Sequence, residues 1–240
     1  MKHAGLLAHS PDGAALAFSE FCHLGQKQFG KPIHPDITLD YIAMGHALPF
    51  WDQGDIAEVR SLLATSIDRL KAAGAEFFFC ADNTAHIALE MAGPSLAIPG
   101  LNLPNVVAAK AKTLGLRKVG ILGTRFTMSG HIYPRAFGEF GINWLLPDSA
   151  DRDIIDKIIF EELVNGIVTD HSRDAYRKII DKLKTGGCDG VALVCTEIPL
   201  LINQETSSLT VLDSTRLISD AAFDVSIGKG PFPTWRGGPP

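Results

Sequence analysis

The sequence predicts an α/β protein with parallel sheets, arranged as two similar halves. Three observations carry this. Short β-like runs alternate with longer segments of helical period, which is the rhythm of parallel sheets. That rhythm restarts after the Pro- and Gly-rich stretch "GPSLAIPGLNLPN". Most tellingly, "KAAGAEFFFCADNT" lies on "KTGGCDGVALVCTE" without a gap, so Lys71 meets Lys184, Gly74 meets Gly187 and Asp82 meets Cys195. "GLLAHS" lies likewise on "GILGTR", pairing Gly5 with Gly120 and His9 with Thr124. Internal self-similarity of this kind implies a repeated structural unit.

The elements follow in order. "AGLLA" is a first strand, and "SPDGAALAFSEFCHLGQKQFG" a helix with Ser10 as N-cap and Pro11 at its first position. "DITLDYIAM" is a second strand. Between residues 53 and 73, Ile56, Val59, Leu62, Leu63, Ile67 and Leu70 recur at helical spacing, and Gly74 stops that helix. "AEFFFCA" is a third strand. After the restart, "KVGILG" is a strand and "TMSGHIYPRAFGEFG" mostly helical, with Pro134 near a helix start or a bend. "INWLL" is the next strand. Residues 151–165 place Ile154, Ile155, Ile158, Ile159 and Leu163 on one helical face, and residues 171–184 do the same with Ile179, Ile180 and Leu183. "CDGVALVC" follows Gly186 and Gly187 as a buried strand. The expected division is a first half over 1–102, to which 210–227 returns, a second half over 103–209, and a flexible Gly- and Pro-rich tail over 228–240.

Composition narrows the function. A chain of 240 residues can bury a substantial core, and 46% hydrophobic with 20% charged residues is ordinary for a soluble globular protein. A net charge of −5 with no basic patch argues against nucleic acid as a partner. No run reaches membrane length, and the apolar run at the N-terminus is too short for a signal peptide. Cys22, Cys80, Cys188 and Cys195 are widely spaced, with no metal-ligand rhythm. They suit free thiols in a reducing, cytoplasmic setting without a metal.

Ligands of open α/β sheets sit beyond the carboxyl ends of the strands. Asp82 and Cys195 both stand there, one in each half, and two halves facing across a cleft would present them to a ligand from opposite sides. Cys80, two residues earlier, lies on the same side as Asp82 but one layer deeper.

"NTAH" after one core strand and "CTEIPLLI" after its counterpart resemble the two signature stretches of the cofactor-independent aspartate/glutamate racemase superfamily. "ILGTRFTM", "IIFEELVNG" and "VLDSTRLISDAA" are similar to its aspartate racemase branch, so the resemblance runs from Gly5 to Ile227. It implies two Rossmann-like, pseudo-symmetric three-layer halves, an active site between them, a homodimer and no cofactor. It also implies two-base proton transfer at the carbon beside a carboxylate, normally by two cysteines. Cys195 matches the second position, whereas Asp82 stands where the first cysteine is expected, and the first turn reads "AHSP" where relatives carry a Gly-Gly-Met-Ser type loop. A carboxylate serves as the base here if burial raises its pKa.

The implied enolate needs positioned donors, for which Ser10, Asn83, Thr84, Thr124, Thr196 and nearby backbone amides are suited. His9 stands at a ligand-facing turn. Glu197 orients a donor or caps the next helix, and Arg125 binds a substrate carboxylate or forms a surface ion pair. His86 and Cys80 are candidates for an assisting role. The expected function is therefore racemisation or epimerisation of a small amino acid or related carboxylic acid. Two alternatives stand beside it: a decarboxylase or maleate-type cis–trans isomerase using Cys195 alone, and a binding protein that has lost the chemistry.

Overall fold

Strand β1 (Ala4–Ala8) is buried along its whole length, as a central parallel strand must be. It occupies the middle of a three-stranded sheet in the computed structural model, which describes residues 1–240. The chain continues through α1 (Pro11–Phe29), β2 (Ile37–Tyr41), α2 (Leu48–Gln53), α3 (Ile56–Ala72), β3 (Phe77–Phe79), α4 (Ala85–Leu89) and α5 (Leu103–Thr113). It then repeats the pattern with β4 (Lys118–Gly123), α6 (Arg125–Ser129), α7 (Ile132–Glu139), β5 (Asn143–Leu145), α8 (Ser149–Lys157), α9 (Asp170–Thr185) and β6 (Gly190–Val194). Strand β7 (Thr210–Asp213) and α10 (Ser214–Ser226) complete it. Strand order is β2-β1-β3 in one sheet and β5-β4-β6-β7 in the other, all parallel.

The sequence repeat is a repeat in three dimensions. Gly5 pairs with Phe78 and Gly120 with Val191, the same register in the two sheets. Both α3 and α9 end in a turn whose glycine has positive φ, +94° at Gly74 and +87° at Gly187. In each, the residue after that glycine donates to a leucine carbonyl five positions back: Ala75 to Leu70 at 3.0 Å and Cys188 to Leu183 at 3.1 Å. This is a Schellman closure, which satisfies late helix carbonyls and sends the chain straight into a strand. The fourth strand is the main difference. Beside β6 it is β7, whereas beside β3 it shrinks to one bridge, Phe78 to Gly100. Gly100 must lack a side chain, since a Cβ there would stand 2.3 Å from the Phe78 ring.

Within the first unit, β3 alternates between two layers. Phe79 stacks on Phe21 of α1 at 5.9 Å, while Phe78 and Cys80 enter a core with Leu7, Val59, Leu63, Ile67 and Leu70. In the second unit Val191, Leu193 and Cys195 share one core with Ile155 of α8 and Tyr176, Ile179, Ile180 and Leu183 of α9.

Several expectations are corrected. The chain divides into Met1–Val106 with Thr215–Pro240, and Val107–Ser214. Residues 210–213 therefore belong to the second unit, through the β6–β7 ladder, and the return begins only with α10. It joins the first unit through Phe223, edge-on to Phe21 at 6.0 Å, and through the Ser219 hydroxyl, which donates to the Ala17 carbonyl. The segment 127–141 is mostly helical as expected, interrupted at Gly130, and Pro134 stands in the first turn of α7. Helix α8 passes into a π-helical turn, Ile158–Glu162, and Ile154 is exposed rather than on the core face. Ser10 stands at the N-cap of α1, yet its hydroxyl makes no capping bond.

Residues 228–240 are not a flexible tail. The Trp235 indole donates to the Gly238 carbonyl at 2.9 Å and lies against Phe78 and His86. The Leu96 and Gly100 amides donate to the Arg236 and Trp235 carbonyls, and the Arg236 guanidinium returns bonds to Leu96 and Ala97. Composition concealed this because the segment borrows its order from the first unit and makes no element of its own. Trp235→Ala is expected to lower unfolding stability by about 1–3 kcal/mol. Urea titration checks it, and an unchanged midpoint would mean the segment contributes nothing.

Candidate active site

Strand β6 ends at Val194, and Cys195 is the next residue of its core-facing alternation. The thiol is 7% exposed, and its Sγ donates to Glu197 Oε2 at 3.0 Å. The same oxygen accepts from the Thr196 hydroxyl at 2.7 Å. A short 3-10 turn, Ile198–Leu200, follows and keeps the three side chains at the strand end. The predicted trio Cys195, Thr196 and Glu197 is thus brought together, with Glu197 as its hub. A carboxylate that accepts a thiol's hydrogen bond orients that proton and offers it somewhere to go.

Behind this trio stands Tyr176 of α9, which the sequence reading passed over. It is fully buried, its hydroxyl makes no hydrogen bond with the protein, and it shares a core with Cys195. Burial pushes its hydroxyl well above the usual tyrosine range, aided by the negative charge of Cys195, Asp156, Glu162 and Glu197. Its only sequence signal is a polar tip in the stripe Tyr176, Ile179, Ile180 and Leu183. Glu162 closes the π-helical turn and is held by the Ser172 hydroxyl at 2.5 Å.

Asp82 occupies the matching place in the first unit, after β3. Its Oδ1 accepts the Ala85 amide at 3.1 Å, so the carboxylate caps the start of α4 while remaining half-buried. Asn83 is buried and Thr84 half-buried at the same helix start. Cys80 is wholly enclosed; burial, followed by the Asp82 charge, pushes its thiol far above the ordinary range. His86 is also wholly buried, its Nε2 on the Cys80 carbonyl at 3.2 Å and its ring stacked on Trp235. Both residues have architectural surroundings.

His9 is buried beyond β1, and its Nε2 accepts the Trp51 indole N–H at 3.2 Å. A nitrogen that accepts carries no proton, so the ring has its proton on Nδ1. A small pocket lined by Ala8, His9, Ile42, Ala43, Leu63 and Ser66 adjoins it. Trp51 was missed because an aromatic partner for a loop histidine leaves no spacing rule. In the second unit, the Thr124 hydroxyl caps α6 by accepting the Thr127 amide at 3.3 Å. Arg125 forms an ion pair with Asp156, 3.5 Å away, and lies over Phe126 and Phe160. No group of three or more His, Cys, Asp or Glu side chains is placed to hold a metal ion, and no helix is long and apolar enough to cross a membrane.

Thiol and carboxylate groups at the ends of parallel strands are side chains suited to acid/base chemistry. The chain belongs to the Asp/Glu/hydantoin racemase family, whose model matches residues 37–222. It is similar to a Yersinia pestis protein provisionally assigned to the Asp/Glu racemases, with 32% identity, coverage of 95% of this chain and 100% of that one, and a TM-score of 0.85. An aspartate racemase homologue from Pyrococcus horikoshii OT3 shares the fold at 24% identity, 95% and 100% coverage and a TM-score of 0.81. The glutamate racemase of Acidothermus cellulolyticus is 28% identical over 191 residues, 78% of this chain and 69% of that one.

A raised pKa lowers the thiolate fraction at every pH below it, so Cys80 should resist iodoacetamide up to about pH 9 in the folded protein. Peptide mass spectrometry reads this directly. Modification of Cys80 before Cys195 would contradict the assignment.

Proposed function

We propose that this amino-acid racemase moves the α proton of a small carboxylate substrate with an unequal pair, Asp82 and Cys195, serving opposite faces of the carbon. The observation that carries the reading is the 3.0 Å hydrogen bond from the Cys195 thiol to Glu197. It leaves the cysteine holding a proton ready for delivery. In one direction the Asp82 carboxylate takes the α proton, electrons move into the substrate carboxylate as an enediolate, and Cys195 returns a proton to the other face. In the reverse direction the thiolate removes the proton and protonated Asp82 returns one. Backbone amides and the hydroxyls of Ser10, Thr84, Thr124 and Thr196 would hold the enediolate, with Asn83 beside them. His9, through Nδ1–H, is suited to a substrate carboxylate. Arg125 serves only if its Asp156 partner gives way. On the same reading the enzyme works without pyridoxal phosphate, in the cytoplasm, as a homodimer.

The capping bond from Ala85 to Asp82 favours a second reading, in which Asp82 is only structural and Cys195 alone protonates a decarboxylation product or acts on a maleate-type alkene. Incubation in deuterated buffer with D- and L-amino acids, hydroxy acids and dicarboxylic acids separates the two. Exchange of the α proton that disappears in both Asp82→Ala and Cys195→Ala supports the unequal pair. Turnover of malonates or maleate that survives Asp82→Ala sinks it.

Glu197→Gln removes the charged acceptor of the thiol proton while preserving shape. It is expected to slow turnover about 100-fold, within the range for positioned acid/base groups. Steady-state kinetics with the identified substrate measures it, and a rate within twofold of the native protein would exclude Glu197 from proton handling.

A further inference from the structure

Helix α4 is five residues long, too short to persist without contacts that hold it. At its front the Ala85 amide donates to Asp82 Oδ1 at 3.1 Å, so the direction of that carboxylate follows the place of the helix. At its back the Leu89 carbonyl accepts the Gly238 amide at 2.9 Å. Between them, His86 Nε2 lies 3.2 Å from the Cys80 carbonyl. A carbonyl only accepts, so this nitrogen carries a proton and donates it to the strand end two residues before Asp82.

The Trp235 indole stacks on the His86 ring, with centroids 6.0 Å and planes 19° apart. It also lies 6.0 Å from the Phe78 ring of β3. One side chain thus braces both the strand that delivers Asp82 and the helix that Asp82 caps. The indole N–H donates to the Gly238 carbonyl at 2.9 Å and closes the turn that presents the Gly238 amide to Leu89. Gly237 and Gly238 both have φ of +77°, the left-handed conformation that this turn requires. The segment 235–238 therefore grips α4 at two points, the His86 ring and the Leu89 carbonyl. Its far side is anchored by Arg236, whose guanidinium donates to the Leu96 and Ala97 carbonyls.

We propose that Trp235 and His86 are positioning residues: the segment 235–238 is a strap that holds α4 against the end of β3 and so fixes the aim of the Asp82 carboxylate. The inference rests on the reading of Asp82 as one of two acid/base groups, and it adds a segment remote in sequence. Proton transfer is steeply sensitive to geometry, so a small shift of α4 would leave Asp82 present but unable to serve its face of the carbon. Cys195 would keep its own face. A site with one working group removes the α proton and returns solvent hydrogen to the same face. Label then enters recovered substrate rather than product.

The test is Trp235→Ala in the full chain, with Trp235→Phe to restore a ring against His86 and Asp82→Ala as reference. Trp235→Leu takes its place if the alanine variant does not fold. Each enantiomer of aspartate and of glutamate is incubated in deuterated buffer. The ratio of α-deuterium in recovered substrate to that in product is measured early. That ratio does not depend on how much of the protein is folded, so lost stability alone leaves it unchanged. Trp235→Ala is expected to raise it at least about tenfold, in the direction of Asp82→Ala, and Trp235→Phe to bring it back. A native ratio in Trp235→Ala, with inversion lost in Asp82→Ala, overturns the strap alone. Inversion that survives Asp82→Ala removes the reading of Asp82 as a base, and absence of exchange with all four acids counts against their racemisation. Hydrogen exchange of the Ala85 amide, followed by NMR, reads the strap without turnover in either case. It is expected to quicken at least about tenfold in Trp235→Ala, and an unchanged rate overturns the proposal.

Discussion

At one glycine of each central strand the helix above comes close enough to crowd any side chain. A Cβ at Gly5 would stand 3.1 Å from Leu70 Cδ1, and one at Gly120 would stand 2.7 Å from Leu183 Cδ1. These leucines are the residues whose carbonyls close the helix-ending turns, so the depth of the helix fixes where the chain re-enters the sheet. The next strand then pairs in one register, Phe78 on Gly5 and Val191 on Gly120. Position 82 in one unit and position 195 in the other inherit their places from that chain of contacts. A side chain at either glycine would press on the leucine whose carbonyl closes the turn, so that leucine would have to give way.

The two strand ends carry different chemistry on equivalent frames. In the second unit a thiol, a hydroxyl and a carboxylate form one hydrogen-bonded set, backed by a buried tyrosine hydroxyl. In the first unit the carboxylate of Asp82 is half-buried and shares its charge with a helix start. On the proposed reading, the thiol that donates to Glu197 and the carboxylate of Asp82 take opposite jobs. Such a pair is loaded for one direction of proton transfer and must be reloaded for the other. The family's racemase chemistry is thus compatible with rates that differ between the two enantiomers.

Most of the frame was legible in the sequence because it rests on periodicity and glycine. The runs "AGLLA", "KVGILG" and "CDGVALVC" fall on β1, β4 and β6, and Gly74 and Gly187 mark the same turn twice. What escaped depends on contacts between segments distant along the chain. Residues 228–240 look unfoldable until Trp235 meets Phe78 and His86. Helix α5 went unread behind a Pro-rich approach, and the π-helical turn at Ile158–Glu162 leaves no mark in a stripe of isoleucines. At the site, Cys195, Thr196 and Glu197 were legible as a motif. Trp51 was not, since it matters through His9 elsewhere in the chain.

The central claim is that two different groups handle the proton, and the position of the label in early turnover tests it most directly. Each enantiomer of the substrate that exchanges would be incubated in deuterated buffer, and unreacted substrate and product separated before a tenth of the conversion. The account predicts deuterium at the α carbon of the product and almost none in recovered substrate, from either enantiomer, with unequal rates. Deuterium appearing equally in substrate and product would mean that a single group removes and returns the proton, and would contradict the paired role of Asp82 and Cys195.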